Sequence, residues 1–105
     1  MDFFEMCKTG HLEEILSKIH EGIDVNTRDE NGWTPLMYAA WYNQNLEVTK
    51  LLLDAGADVD VRDKNGLTPL MYAAGLNQNP EIIRILLEAG ADVNARTEDG
   101  VTPLI

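Results

Sequence analysis

Apolar and polar residues alternate along this chain in blocks that predict pairs of short helices. The apolar block LMYAA occurs at 36–40 and again at 70–74, and each copy is followed by a polar Asn-Gln-Asn and a second apolar block at 46–53 or 82–87. Asparagine side chains compete for backbone hydrogen bonds, so this polar cluster should end the first helix of each pair. The second block has more apolar surface than one isolated helix could cover, so neighbouring elements must bury it.

The residues at the edges of these blocks favour helix boundaries. Thr34 and Thr68 suit the N-cap position, and a proline follows each at the first helical position, where a missing N–H costs nothing. Gly56 and Gly90 suit the left-handed residue after a helix end. Short extended runs that end in Asn-Gly or Asp-Gly predict tight hairpin turns with positive φ. Each unit is therefore predicted to be a hairpin followed by two antiparallel helices.

These units repeat with a period of 34 residues. Gly32, Gly66 and Gly100 each precede x-Thr-Pro-Leu, and most positions of 29–62 are identical to the aligned positions of 63–96. Small alanines in the first helices let successive units approach closely, whereas the leucines of the second helices hold them further apart. The repetition predicts a curved stack.

The repeated motif D-x-x-G-x-T-P-L, followed by two alanines and L-L-x-x-G-A-D-V-N, is similar to the ankyrin repeat over essentially the whole chain. The resemblance implies an all-α repeat fold, an ankyrin solenoid of helix-turn-helix units with short β-hairpin loops. It implies one domain, 1–105, that binds proteins through a concave face of hairpin tips and first helices. The expected divisions are an N-terminal capping repeat at 1–28, repeats at 29–62 and 63–96, and an incomplete repeat at 97–105.

Two departures from the family pattern are expected to matter. Met37 and Met71 stand where the pattern has histidine, so a flexible apolar side chain replaces an imidazole that would form a hydrogen bond. Asn-Gln-Asn is one residue longer than the family's Gly-His between the helices, which accounts for the period of 34. Gly10-His11 retains the family form.

The sequence stops within the first helix of its fourth unit, so no C-terminal cap is visible. A repeat array without a cap exposes an apolar interface. We expect either that the chain is a fragment of a longer array or that this end self-associates with another molecule. The exposed apolar residues are expected to include Leu86, Leu87, Val101 and Leu104.

The charge of the chain narrows the class of partner. A formal net charge of −10 at pH 7 repels phosphate backbones and anionic lipid and favours a partner protein with a basic patch. We therefore expect no nucleic-acid partner and no membrane partner. A single cysteine, Cys7, and the absence of a signal-peptide or membrane-span pattern favour an intracellular, cytoplasmic location.

Candidate catalytic and metal-binding groups are few. Cys7 and His11 are four residues apart, a spacing that could bring a thiol and an imidazole together on a helix, but both stand at positions that the resemblance assigns to packing. Asp24, Asp58 and Asp92 could in principle bind calcium, yet their regular recurrence favours hydrogen bonds within turns. We expect no enzymatic activity, no cofactor and no metal site.

Arginine recurs just before each hairpin tip, at Arg28, Arg62 and Arg96, and these side chains should form a ladder. Two interpretations are open. The favoured one is that each guanidinium forms a weak surface ion pair with an acidic neighbour, Asp29, Asp60 or Asp63. The other is a row of guanidinium forks for the carboxylates of a partner.

Positions that differ between repeats are expected to determine partner choice. The resemblance places the concave face at the residues that flank the hairpin glycine and at the last exposed turn of the first helix. The expected partner-binding residues are Glu30, Asn31, Trp33, Trp41, Tyr42, Lys64, Asn65, Leu67, Leu76, Glu98 and Asp99.

Trp33 and Trp41 stand out because the next repeat has Leu67 and Gly75 at the same places, so stacking does not demand tryptophan. Large rigid aromatics are the usual anchors of interfaces, which with Tyr42 predicts a binding hot spot. The alternative is that Trp41 and Tyr42 cover the edge of the N-terminal unit. On the first interpretation, Trp33→Ala and Trp41→Ala should weaken partner binding and leave thermal stability nearly unchanged.

The sequence therefore favours a non-catalytic scaffold that presents a preorganised concave face to a partner protein. A second interpretation is an acidic inhibitor or immunity-type protein that blocks a basic enzyme, supported specifically by the net charge alone. Such an inhibitor should associate much more slowly as ionic strength rises.

Overall fold

A computed structural model describes residues 2–42, 45–77 and 79–97, with the side chains of all these except 76 and 77. Within these residues the chain forms six α-helices in three consecutive pairs. They are α1 (Phe3–Thr9), α2 (Leu12–His20), α3 (Pro35–Tyr42), α4 (Leu46–Asp54), α5 (Pro69–Tyr72) and α6 (Pro80–Glu88), and a π-helical segment (Ala73–Asn77) continues α5.

Helices α3 and α5 begin as the Thr-Pro pairs predict. The Thr68 hydroxyl accepts a hydrogen bond from the Met71 backbone N–H at 3.3 Å, and Thr34 accepts the same bond from Met37 at 3.4 Å. Both threonines are buried. The two caps therefore satisfy N–H groups that water cannot reach.

The second helices also begin and end at the expected residues. The side chains of Asn45 and Asn79 each accept a hydrogen bond at 3.0 Å from the backbone N–H two residues further on, at the start of α4 and α6. Gly56 and Gly90 follow the helix ends with φ of 99° and 98°. The asparagines thus end the inter-helix connection by capping the next helix.

The π-helical segment lies where the sequence has one residue more than the family pattern. A π turn holds an extra residue compared with an α turn, because its hydrogen bonds join residues five apart. Ala73–Asn77 leads into this longer connection, whereas in the preceding repeat, which has the same Asn-Gln-Asn, α3 is α-helical as far as Tyr42.

Tight turns connect the pairs of helices at 29–33 and 63–67. Asp29 N–H donates to the Trp33 carbonyl at 2.9 Å, and Gly32 N–H donates back to the Asp29 carbonyl at 3.0 Å, with φ of 77° at Gly32. The same pattern recurs from Asp63 to Leu67. These are the predicted hairpin tips, and across residues 2–42, 45–77 and 79–97 no strand flanks them.

The helices form two layers with the core between them. The first helices α1, α3 and α5 pack side by side, the second helices α2, α4 and α6 form the outer layer, and contacts are more extensive within the first layer. The fully buried side chains include Ile15, Leu36, Met37, Leu52, Leu70, Ile82 and Leu86. Met37 and Met71 are both buried, as expected for an apolar side chain at the position of the family's histidine.

The expectation that Leu86 is exposed is wrong. Leu86 is completely buried because its position on α6 points to the shared core, whereas Leu87, the next residue round the helix, is 40% exposed. Val101 and Leu104 lie outside the described residues.

Arginine side chains join successive repeats through backbone carbonyls. A guanidinium nitrogen of Arg28 donates to the carbonyl oxygen of Arg62, and Nη1 of Arg62 donates to the carbonyl oxygens of Arg96 at 2.7 Å and Gly66 at 2.9 Å. Arg28 and Arg62 thus form two steps of the predicted ladder, and their partners are backbone carbonyls and not the acidic neighbours that the favoured interpretation named. In the described structure Arg28, Arg62 and Arg96 form no ion pair with Asp29, Asp60 or Asp63. For Arg28 and Arg62, the next unit places a carbonyl oxygen within reach of the guanidinium.

A second set of hydrogen bonds joins successive repeats in the segments that follow the second helices. Asn26 donates from Nδ2 to the Gly56 carbonyl at 3.1 Å and accepts from the Asp58 backbone N–H at 2.7 Å. One repeat later Asp60 accepts from the Asp92 backbone N–H at 2.9 Å. Hydrogen bonds 32 residues apart in sequence thus fix the offset between neighbouring units.

Candidate partner-binding surface

Five aromatic rings gather where a hairpin tip meets the ends of the first helices. This aromatic cluster consists of Trp33, Tyr38, Trp41, Tyr42 and Tyr72. The Trp33 ring centre lies 4.5 Å from that of Tyr72 and 4.9 Å from that of Tyr38, in tilted arrangements. Trp33 therefore packs between the tyrosines of two successive repeats.

Trp41 packs toward the following repeat. Its ring is perpendicular to Tyr72 at 5.0 Å and lies 6.0 Å from Trp33 and 6.3 Å from Tyr42. Both tryptophans are half-buried and pack against the core. Truncating either one should therefore cost stability as well as binding, which revises the expectation from sequence.

Tyr42 is the most exposed ring of the cluster. Its side chain is 47% exposed, and its ring stacks on Tyr38 at 6.2 Å with an interplanar angle of 15°. Nζ of Lys8, in α1, lies 4.5 Å from the centre of the Tyr42 ring, a cation–π geometry. The covering role considered from sequence therefore suits Tyr42, whereas the rings beside Trp41 belong to its own and the following repeat.

Carboxylates at the hairpin tips hold in place two tyrosines that occupy equivalent positions in successive repeats. The Tyr38 hydroxyl donates to Asp29, and the Tyr72 hydroxyl donates to Asp63. The other oxygen of Asp63 accepts the backbone N–H groups of Asn65 at 2.8 Å and Leu67 at 3.0 Å. One side chain thus shapes the tip and orients a ring on the helix behind it.

These hydrogen bonds shift the pKa values of the groups involved. Partial burial acts to raise the Asp29 pKa, but hydrogen bonds from the Tyr38 hydroxyl and from the backbone N–H groups of Trp33 and Asn31 outweigh it and lower the pKa overall. Burial, then the hydrogen bond to the neighbouring carboxylate, raises the pKa of Tyr38 and of Tyr72. Both tyrosines are therefore neutral hydrogen-bond donors at pH 7.

A concave pocket of about 460 Å³ opens between the two hairpin tips and the aromatic cluster. Its lining contains five of the residues expected from sequence and two that sequence reasoning missed. The expected ones are Asn31, Trp33, Tyr42, Lys64 and Asn65, and the missed ones are Tyr38 and Tyr72. The nine-residue spacing from each tip aspartate to each tyrosine, repeated in both units, was the available signal.

The other expected residues lie elsewhere. Glu30 is exposed at the tip, Leu67 is half-buried against the core, and Trp41 packs behind the pocket. Glu98, Asp99 and the side chain of Leu76 lie outside what the structure describes. The one charged residue among the described lining of the pocket is Lys64.

The geometry around Cys7 and His11 matches packing. Cys7 is completely buried, and burial raises the pKa of its thiol to about 12, so almost no thiolate nucleophile exists at neutral pH. Nδ1 of His11 lies 2.5 Å from the Thr9 hydroxyl oxygen. A buried protonated thiol is a poor catalytic group.

The recurring aspartates form hydrogen bonds within their own turns. Asp24, Asp58 and Asp92 each accept the backbone N–H two residues further on, at 2.9, 3.0 and 2.8 Å. This is the turn geometry that their regular spacing favours.

Comparison with known proteins agrees with this architecture. A family model described as ankyrin repeats, in three copies, matches residues 3–97. No helix in the described residues has the length and apolar character needed to cross a membrane.

Curated relatives are similar over about half of this chain. The chain is 38% identical over 52 residues to the ankyrin repeat, SAM and basic leucine zipper domain-containing protein 1 of Carollia perspicillata, and 41% identical over 51 residues to the mitochondrial disaggregase of Homo sapiens. These matches cover 50% and 49% of this chain but 11% and 7% of the two relatives, so the chain spans a small part of their length. Ankyrin repeats generally mediate protein–protein interaction, and the proteins of this family are generally non-enzymatic scaffolds. The chain belongs to the ankyrin-repeat family.

Proposed function

We propose that this chain is a non-catalytic module that binds a partner protein in the concave pocket between its hairpin tips and first helices. The observation that carries the proposal is the pocket of about 460 Å³ whose walls are aromatic rings fixed by tip carboxylates. An intracellular location accompanies the proposal, supported by a single cysteine, Cys7, that is buried.

Preorganisation is the physical basis of the proposed binding. Asp29 and Asp63 hold Tyr38 and Tyr72, and Trp33 is packed between those rings before any partner arrives. Little side-chain freedom is left to lose on association, so more of the contact energy appears as affinity. The fit is to an apolar or aromatic anchor side chain of the partner.

The edge of the pocket supplies the polar contacts of such an interface. Asn31 and Asn65 are exposed at successive tips, and Lys64 lies between them in the lining. Their amide groups could donate to and accept from the partner's backbone around the anchor. The acidic-inhibitor interpretation gains no support from this pocket, since its described charged residue is a cation.

Tyr42 offers the cleanest test because it is the most exposed ring of the aromatic cluster. The chain is immobilised as bait in a cell lysate, and captured proteins are quantified by mass spectrometry for wild type, Tyr42→Ala and Leu87→Ala. Leu87 is the matched control, since it is also a large apolar residue, 40% exposed, but lies on α6. Truncation of a hot-spot residue costs about 2 kcal/mol or more, so Tyr42→Ala should reduce capture of the specific partner more than tenfold.

Thermal unfolding of each variant separates binding from folding. Equal capture by wild type and Tyr42→Ala, with Leu87→Ala reducing it instead, would show that the concave pocket is not the binding site. Repeating the capture at several NaCl concentrations also tests the inhibitor interpretation, which requires a steep loss of association rate with salt.

A further inference from the structure

A groove lies on the outer layer of the molecule, on the side away from the concave pocket. It runs between α2 and α4 and has a volume of about 300 Å³. Its apolar lining is Leu12, Leu16 and Leu51. Leu16 is 40% exposed, one of the most exposed large apolar side chains of the described structure.

The repeat architecture does not demand a leucine at position 16. The equivalent residue is Lys50 in the next repeat and Arg84 in the one after, and both are charged surface residues in ion pairs with glutamates of their own helices. Leu16 is therefore an apolar residue at a position where the stack otherwise places a cation. Its retention at the surface needs a reason other than packing between repeats.

Acidic side chains border this apolar strip. Glu13, Glu47 and Asp54 line the groove together with one cation, Lys50, whose Nζ lies 3.7 Å from Oε1 of Glu47. Glu13 and Asp54 have no ion-pair partner in the residues that the structure describes. The groove thus combines an apolar floor with unneutralised negative charge at its edges.

We propose that the α2–α4 groove binds an amphipathic helical segment of a partner protein, with leucine-like anchors along one edge and lysine or arginine beside them. The anchors would lie on Leu12, Leu16 and Leu51, and the cations would reach Glu13 and Asp54. A helix suits the site because the groove follows two adjacent helices of nine residues, about 14 Å or two to three turns, which matches anchors spaced three or four residues apart. The proposal does not depend on the concave pocket.

The neighbouring groove between α4 and α6 also has acidic residues, Asp54 and Glu88, but it lacks the exposed leucine of the first groove. It has a similar volume of about 290 Å³, but its larger apolar residues are Leu53, which is half-buried, and Ile85, which is buried, so it has no exposed leucine comparable to Leu16. The comparison indicates that the apolar strip is specific to the first groove and does not arise from stacking alone.

The test uses a fluorescein-labelled synthetic peptide of about four helical turns, with leucine at alternating three- and four-residue spacing and lysine at the other positions. Fluorescence anisotropy gives its Kd for wild type, Leu16→Gln and Leu87→Gln. Leu87 is the matched control because it is equally exposed but lies outside the groove. A second peptide has the same composition with the leucines scattered round the helix.

We expect the peptide to bind about tenfold more weakly to Leu16→Gln, the loss typical of removing an interface anchor. Its affinity for Leu87→Gln should not change. The peptide with scattered leucines should bind more weakly to the wild type. The double variant Glu13→Gln, Asp54→Asn should also bind more weakly and show a smaller dependence on NaCl. This variant keeps the proposal testable if Leu16→Gln alters folding, which circular dichroism would reveal.

Equal binding of both peptides to all variants would mean diffuse attraction between a cationic peptide and an acidic protein, and would overturn the proposal. Loss of binding in Tyr42→Ala, with Leu16→Gln unaffected, would overturn it too, because the peptide would then occupy the concave pocket. Absence of binding to wild type would reject this partner chemistry while leaving the proposed concave-face function untouched.

Discussion

Thr49 is completely buried within α4, and its hydroxyl oxygen has no hydrogen-bond partner in the described structure. The equivalent residues of the neighbouring units are Ile15 and Ile83. A buried hydroxyl without a partner lowers stability because it loses its hydrogen bonds with water. Thr49→Val, which replaces the hydroxyl by a methyl group of similar size, should raise the free energy of unfolding by about 1 kcal/mol, measured by urea denaturation.

Thr68→Val provides the matched control at a second buried threonine. The Thr68 hydroxyl caps α5 by accepting the Met71 N–H, so the same substitution should lower the free energy of unfolding by about 1 kcal/mol. Destabilisation of similar size in both variants would show that the Thr49 hydroxyl does have a partner in solution.

The raised pKa values of three buried or half-buried side chains, Cys7, Tyr38 and Tyr72, predict that the protein is less stable at alkaline pH. Burial raises the pKa of the Cys7 thiol from 9.0 to about 12, and the pKa values of both tyrosines are raised as well. Above pH 9.0 the unfolded chain therefore binds fewer protons than the folded chain, and the free energy of unfolding falls as pH rises. The thermal unfolding midpoint should drop between pH 9.0 and about pH 12, and the drop should be smaller in Cys7→Ala. An identical slope in that variant would contradict burial of the thiol.

Substitution of the hairpin glycine by alanine is expected to lower the free energy of unfolding by different amounts at the two tips. Gly32 and Gly66 have nearly the same positive φ, 77° and 81°, so an alanine at either is strained by about 1 kcal/mol or more. A Cβ at Gly32 would lie 3.1 Å from the backbone nitrogen of Lys64 and 3.2 Å from a guanidinium nitrogen of Arg28, whereas at Gly66 the nearest atom is 3.8 Å away. Gly32→Ala should therefore destabilise the protein clearly more than Gly66→Ala.

Urea denaturation of the two glycine variants measures this difference directly. Each variant serves as the control for the other. The difference between their free energies of unfolding measures the cost of the close contact between successive tips. Equal losses would mean that φ strain accounts for both, and that the tips of the two repeats are further apart than described.

Helix boundaries could be predicted from sequence because their causes are local. The Thr-Pro pairs and Asn79 form their capping hydrogen bonds within three residues, so a short stretch of sequence contains both partners. The partners of Arg28 could not be predicted in this way. Its guanidinium donates to a carbonyl 34 residues away, and only the offset between stacked units decides which oxygen lies within reach.

The candidate site was predictable where the repeats differ and hidden where they agree. Comparing the repeats pointed to Trp33, Tyr42 and Lys64, which line the pocket. Tyr38 and Tyr72 are identical in position and so gave no contrast, although they form part of the same lining. A residue can serve the stack and the surface together, and comparison of repeats alone does not reveal that second role.

At the scale of the whole molecule, the two faces carry different charge. The described lining of the concave pocket has Lys64 as its charged residue, and Lys8 packs on the ring of Tyr42 beside it. The outer groove instead has acidic edges. The charged side chains that line the two sites thus differ in sign, so salt should affect ligands of the two sites differently.

The net charge also predicts that salt stabilises the fold. With a formal charge of −10, a radius of gyration of 12.6 Å and a longest extent of 38 Å, most pairs of charges lie within the screening length of about 30 Å at 0.01 M salt. Far fewer lie within the screening length of about 8 Å at 0.15 M salt. Screening reduces self-repulsion of the folded state, and the exposed ion pairs that salt weakens, such as Lys50 with Glu47, contribute little. Adding NaCl should therefore raise the thermal unfolding midpoint, by about 4–8 °C for each ~1 kcal/mol gained.

The double variant Glu14→Lys, Glu30→Lys brings the net charge closer to zero through changes at two exposed positions. Its thermal unfolding midpoint should therefore be higher at low salt and respond less to NaCl. A midpoint that falls with NaCl would instead show that the surface ion pairs outweigh the repulsion.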